Sequence, residues 1–300
     1  MNKTKKTIIL DGLEEPITSE SQTTRTIERN QEDEDYVPVI LKRSDEALRH
    51  PDDTLEQAIL EGIEQHKRPI LSLYLSAIAA GLILGFTGMS VALVSQLFPG
   101  EEQWILNRIV VALVYPLGFI ICIMSGTQLF TEHTATAVYP VLDRKVHLKS
   151  LFILWVVVMC GNITGTFLSS LLIYFSDSVI LGTAGFISVS DHLLSFSFGE
   201  VLMSAILAGW LMAQAGWLVL ATPHASSQIV CVYIVTFIIG LGGLHHSIAG
   251  SAEIFSGIFH SDTPNYIGAF SFLISALLGN LIGGSFFVGV LNYGHIKKTQ

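Results

Sequence analysis

The sequence predicts an all-α integral membrane protein with six transmembrane helices, and three observations carry that prediction. Half of the 300 residues are apolar and only 14% are charged. The apolar residues gather into runs near the roughly 20 residues that a bilayer-spanning helix needs. Charge is segregated: residues 1–71 hold 10 Lys/Arg and 16 Asp/Glu, which leaves 6 and 9 for residues 72–300. Two apolar stretches are interrupted midway by glycines, hydroxyls, histidines and a glutamate, over residues 126–134 and 243–253. Ionisable groups at bilayer depth are costly, so they face a pathway rather than lipid. A soluble protein with a large buried core is excluded by spans this long and this uncharged.

The elements follow in order. Residues 1–50, rich in Glu, Asp, Ser, Thr and Gln, read as a disordered acidic tail, and the net charge of −9 belongs mostly to residues 1–71. A polar N-terminus of about 70 residues leaves the first span as its own insertion signal. Asp52-Asp53-Thr54 followed by Gln57 reads as a cap for an amphipathic interfacial helix over 51–70, with Leu55, Ile59 and Ile63 on one face and Lys67 and Arg68 near lipid headgroups. Residues 71–294 form the membrane domain. Its spans are expected at about 71–97, 105–126 (resuming after a break to about 140), 150–175, 195–220, 228–244 (resuming to about 259) and 266–292. Residues 295–300 form a short C-terminal tail. Arg144, Lys145 and Lys149 share a side with Lys67, Arg68, Lys297 and Lys298, while the opposite loops carry acids, so both termini are expected in the cytoplasm. Cys122, Cys160 and Cys231 all fall in spans and read as small apolar packers, not disulfide partners.

An internal repeat is visible. Gly161-Asn162-Ile163-Thr164-Gly165 in span three matches Gly279-Asn280-Leu281-Ile282-Gly283-Gly284 in span six, 118 positions later. The same offset carries Gly126 to Leu244 and Thr131 to Ala249, from one interruption to the other. Three spans per half is an odd number, so the halves are expected to lie in opposite orientations, as a 3+3 inverted repeat with helices two and five broken. The Gly-Asn pairs read as sites of close helix packing.

These residues resemble the formate/nitrite transporter family. Leu129-Phe130-Thr131 is similar to its Leu-Phe-Thr motif in broken span two. Leu244-His245-His246-Ser247-Ile248-Ala249 is similar to its Phe-Glu-His-Ser-Ile/Val-Ala motif in broken span five, which puts the family's central histidine on His246. Trp155 with Gly161-Asn162, Glu200, and Gly279-Asn280 with Gly283-Gly284 also match, and the resemblance covers about 55–294. Residues 128–132 and 250–254 look like the YfdC-type branch of bacterial inner-membrane proteins. The resemblance implies an aquaporin-like inverted repeat, a homopentamer with one pore per protomer, and passage of small monovalent anions such as formate, nitrite or hydrosulfide, or their conjugate acids. Departures are specific. Glu132-His133 stands where the family has Ser-Asn, and His245 where it has Glu. Gly250 and Gly209 replace two of its Asn, and a lysine near the start of span four has no counterpart among Ser190, Asp191 and His192.

The chemistry of such a pore follows from solvation. An ion entering an apolar constriction forfeits of order tens of kcal/mol in the idealised limit, and a neutral acid far less. A residue that lends a proton or hydrogen bond midway therefore selects the solute. His246, with an ordinary pKa of about 6.5, suits that role, and Thr131 is its natural hydroxyl partner. Half-helix dipoles favour negative charge there. Leu129, Phe130, Phe119 and Ile239 would form dry constrictions, though Phe119 and Ile239 read equally as plain core. Glu132 and Glu253 either pair with His133 and His245 as buried couples or make the pore less welcoming to anions, or suited to a proton-coupled or cationic substrate. Glu200 reads as structural. Adjacent His245 and His246 leave open an ammonium or neutral-solute conduit, and the acidic tail leaves open a membrane scaffold or sensor. His-Glu-x-x-His and Gly-x-Ser-x-Gly are absent, so no hydrolase is indicated. No metal, cofactor or nucleic-acid partner is called for.

Overall fold

The computed structural model describes residues 48–98 and 101–297, and no strand occurs among them. The tail expected over 1–50, except its last three residues, and Lys298 lie outside the described residues.

Helix α1 is Pro51–Lys67. Pro51 sits at N1, where its missing N–H goes unused, and His50 rather than Asp52 is the N-cap. Asp52 and Asp53 in the first turn complement the helix dipole. Leu55, Ala58 and Ile59 are buried with Tyr139, Val288 and Ile296. The face expected to lie on lipid therefore packs on protein. Gly62 permits this approach, because a Cβ there would meet the Pro140 ring at 2.7 Å.

The membrane core follows. Span one is α2 (Ile70–Ser95). Span two is α3 (Trp104–Val114) and α4 (Pro116–Met124), divided where Pro116 supplies no N–H, then a break, then α5 (Thr134–Leu142). Span three is α6 (Leu148–Phe175). A single turn, α7 (Asp177–Ile180), leads into α8 (Thr183–Leu194), a helix where only a loop was expected. Its Phe186 and Ser190 are buried, and Ser190 lies against Gly257. Span four is α9 (Phe198–Ala221), opened by a capping box in which Glu200 accepts from Ser197 N at 2.8 Å and Ser197 Oγ at 2.6 Å. Glu200 is thus structural, as its sequence position suggests. Span five is α10 (Ala225–Gly242), a break, and α11 (Ser247–His260). Span six is α12 (Tyr266–Ile282), a π-helical stretch over Gly283–Val290, and α13 (Leu291–Lys297).

Among the described residues, six helices, of 26, 21, 28, 24, 18 and 32 residues, are long and apolar enough to cross a bilayer. Large apolar side chains such as Phe86, Phe152, Phe175, Ile267 and Phe270 stand exposed around them, as a lipid-facing surface requires. Span one packs on span three and span four on span six. The Gly81 and Gly165 backbones meet there, since a Cβ on Gly165 would lie 2.8 Å from the Gly81 Cα. At one face, Asp143 accepts from Tyr293 (3.1 Å) and pairs with Lys145 (3.1 Å) and Lys297 (3.6 Å), tying the 143–147 turn to α13. This is the Lys/Arg-rich face.

Candidate functional site

Breaking a helix inside a bilayer frees backbone groups that no water can satisfy, so the protein must supply partners. In the first break Gly126 turns the chain with φ +64°, and in the second Gly243 does so with φ +58°. Beyond each turn the two breaks are held by corresponding side chains. Gln128 N donates to Ser76 Oγ (3.1 Å), and His245 N donates to Ser204 Oγ (3.1 Å). Phe130 N donates to Asn162 Oδ1 (2.8 Å), and Ser247 N donates to Asn280 Oδ1 (2.7 Å). Asn162 Nδ2 donates to Ala77 O (2.8 Å) and Gln128 O (2.9 Å). Asn280 Nδ2 donates to Ala205 O (2.7 Å) and His245 O (3.1 Å).

Two sequence expectations are corrected by these clamps. The Asn of each Gly-Asn pair does more than pack: it closes three backbone hydrogen bonds. The offset between the breaks is 117, not 118, matching Gly126 to Gly243 and Phe130 to Ser247, while 118 holds for Asn162 and Asn280 and 128 for Ala77 and Ala205. One residue fewer separates the breaks than separates the asparagines, so the pairing of Gly126 with Leu244 and Thr131 with Ala249 does not hold.

The two breaks bring Thr131 and His246 together. Thr131 Oγ1 and His246 Nε2 are 2.6 Å apart, both residues fully buried. His246 is also the N-cap of α11, where its Nδ1 accepts from Ala249 N at 3.0 Å. A backbone amide only donates, so Nδ1 carries no proton and Nε2 does. The imidazole is therefore neutral and donates through Nε2 to the Thr131 hydroxyl. Phe119 packs edge-on against the ring, centroids 4.9 Å apart. Leu129, Phe130 and Ile239 are buried in the same apolar cluster as Phe119.

The remaining candidates divide. His133 Nδ1 lies 3.8 Å from Glu132 Oε2, so that expected couple is present. It has a third member the sequence gave no sign of: Glu61 of α1, its Oε1 3.6 Å from His133 Nε2. The couple of Glu253 with His245 does not form. Glu253 lies two turns into α11, against Gly88 of α2. His245, before that helix begins, lies between Phe196 and Phe272, at centroid distances of 5.0 and 5.6 Å, and neither ring nitrogen has a hydrogen-bond partner. His245 and His246 therefore occupy different surroundings and present no paired imidazoles. Arg68, expected at the headgroups, donates instead to Gln128 Oε1 in the first break at 3.3 Å. His66 donates through Nε2 to Ala137 O (3.0 Å) and meets Ser150 Oγ (2.9 Å). Burial holds its pKa below the ordinary value, against the opposing pull of the Ala137 carbonyl.

Comparison with known proteins follows the same lines. The model of the formate/nitrite transporter family matches residues 52–294. The inner membrane protein YfdC of Escherichia coli (strain K12) is 31% identical over 244 residues, covering 80% of this chain and 77% of its own. A solved FNT family ion channel superposes with a TM-score of 0.75 at 19% identity, covering 83% of this chain and 100% of its own. A solved pentameric formate channel with formate bound gives 0.66 at 19% identity, covering 77% and 98%. These likenesses show the six-span fold.

Proposed function

Because this chain belongs to the formate/nitrite transporter family, we propose that it forms a pore for a small monovalent anion, formate or nitrite or one like them, or for the conjugate weak acid. The observation that carries the reading is the 2.6 Å contact between Thr131 and His246, made where the two helix breaks meet. Helices α5 and α11 both begin at the breaks, so two N-terminal dipole ends favour negative charge at that level. The solute displaces the Thr131–His246 contact and takes up the freed donors. His246 lends a hydrogen bond, not a proton. Protonating Nδ1 would set two N–H groups face to face and break the α11 cap, which is worth about 1 kcal/mol, and would place an unpaired charge in an apolar setting. Leu129, Phe130, Phe119 and Ile239 exclude water and larger ions on either side.

The architecture of the family supports a homopentamer with one pore per protomer, seated in a bacterial inner membrane. The Lys/Arg-rich face, with both termini, is cytoplasmic. The reading is tested in vesicles carrying the protein and a pH dye, challenged with formate or nitrite. His246→Phe lowers flux about tenfold or more, the scale of one lost hydrogen bond to an ion. Flux equal to that of empty vesicles for the unmodified protein would remove the proposal. Native mass spectrometry of the same preparation counts the subunits.

A further inference from the structure

The Glu61–His133–Glu132 cluster sits one residue from Thr131 and plays no part in the hydrogen bond at His246. Its geometry fixes its protons. His133 Nδ1 lies 3.0 Å from Leu129 O, and a carbonyl only accepts, so Nδ1 carries a proton. A bare Nε2 would face the Glu61 carboxylate lone pair to lone pair at 3.6 Å, so a second proton occupies that contact. Burial alone would raise the pKa of Glu61, but the hydrogen bond and charge of His133 outweigh it and hold the carboxyl below its ordinary value. The proton therefore stays on the imidazole. Glu132 is different. Only 7% of the residue is exposed, and its Oε2 is buried without a hydrogen-bond partner. His133 Nδ1, 3.8 Å away, is committed to Leu129. Ionised, Glu132 has the His133 imidazolium beside it at 3.8 Å to offset its charge but no donor on Oε2, so that oxygen is open to a proton that a solute brings. The Glu61 side chain, 33% exposed, opens the cluster to water.

We infer that Glu132, backed by His133 and Glu61, is the proton acceptor that strips a weak acid of its proton as it leaves by the Lys/Arg-rich face. The inference rests on the pore reading above. In the step, the O–H bond of the acid breaks and an O–H bond forms on Glu132 Oε2. The electron pair stays with the departing anion, which Glu61 then repels towards water. Glu132 passes the proton to a water molecule on that face and regains its charge. In reverse, the same site charges an entering anion with a proton. His133 is a positioning residue: its imidazolium lies between the carboxylates and lets both sit near one another. The other charged or titratable groups facing the cluster are His66 of α1, Arg68 at the α1–α2 turn through Gln128, and Cys122 of α4, whose Sγ is bonded to Thr127. From α9, Gly216 meets Glu132 with backbone only.

The experiment uses the full chain in vesicles at equal pH on both sides, between about pH 5 and 8. Formate uptake is followed by light scattering, proton uptake by an internal dye, and carboxyl protonation by infrared difference spectroscopy. Expected for the unmodified protein is a formate rate with a titration step, matched by a protonated-carboxyl band that appears over the same range. Glu132→Gln removes both the step and the band and slows uptake about tenfold. Glu132→Asp keeps both, which secures the test should the glutamine variant fail to fold. Glu61→Gln keeps the band and moves the step to lower pH by about one unit, since it removes a like charge that disfavours the Glu132 carboxylate. A step or band that persists in Glu132→Gln, or a band missing from the unmodified protein, overturns the inference. If the band titrates normally while the unmodified protein passes no formate, it is the pore reading that fails.

Discussion

Asn162 and Asn280 show how much one side chain can decide. Each amide supplies one acceptor and two donors, and each spends all three on the backbone of a break and a neighbouring span. Asn162→Ala would orphan the Phe130 amide and the Gln128 carbonyl where no water reaches them, and take a second donor from the Ala77 carbonyl. The expected loss is about 3 kcal/mol, read as a lowered thermal midpoint in detergent, with Asn280→Ala behaving alike. A midpoint unchanged in both would show that packing, not clamping, is what these residues supply. The sequence displayed both asparagines, their glycine neighbours and their repeat spacing. It did not display the hydrogen bonds, because an Asn beside a Gly in an apolar helix serves close packing equally well. His246 and Thr131 were legible because they stand at matching interruptions. Glu61 was not, since its partner lies 72 positions away and a glutamate on the polar side of a helix carries no mark of its target.

At the scale of elements, hydropathy located the spans to within a few residues, because a bilayer imposes length and composition together. It missed α8. That segment mixes Thr183, Ser188, Ser190, Asp191 and His192 with its apolar residues, and its buried face is recognisable only once α11 is in place beside it. The first helix was foreseen as amphipathic but assigned the wrong neighbour. Nothing in the spacing of Leu55 and Ile59 distinguishes lipid from the Tyr139, Val288 and Ile296 they meet. Its link to the first break, through Glu61 and Arg68, makes α1 a brace on the residues next to Thr131. Ile59→Asp would put an unpaired charge into that contact. Hydrogen exchange over 51–67 is expected to lose its protection while the six spans keep theirs. Protection retained over α1 would mean that its polar contacts hold it unaided.

For the whole molecule, the nitrogen of His246 that holds Ala249 N decides whether protons can cross alone. Imidazole conducts protons by receiving on one nitrogen and discharging from the other. With Nδ1 tied to a main-chain amide, the ring has a single free terminal, and a proton wire through the protein ends there. On the proposed reading, hydrogen ions traverse the membrane only as passengers on a solute. Vesicles under a pH gradient, with no permeant anion supplied, should then dissipate it no faster than bare lipid, and a faster decay would contradict this. Such a passage could stand open in an energised membrane without short-circuiting the proton-motive force.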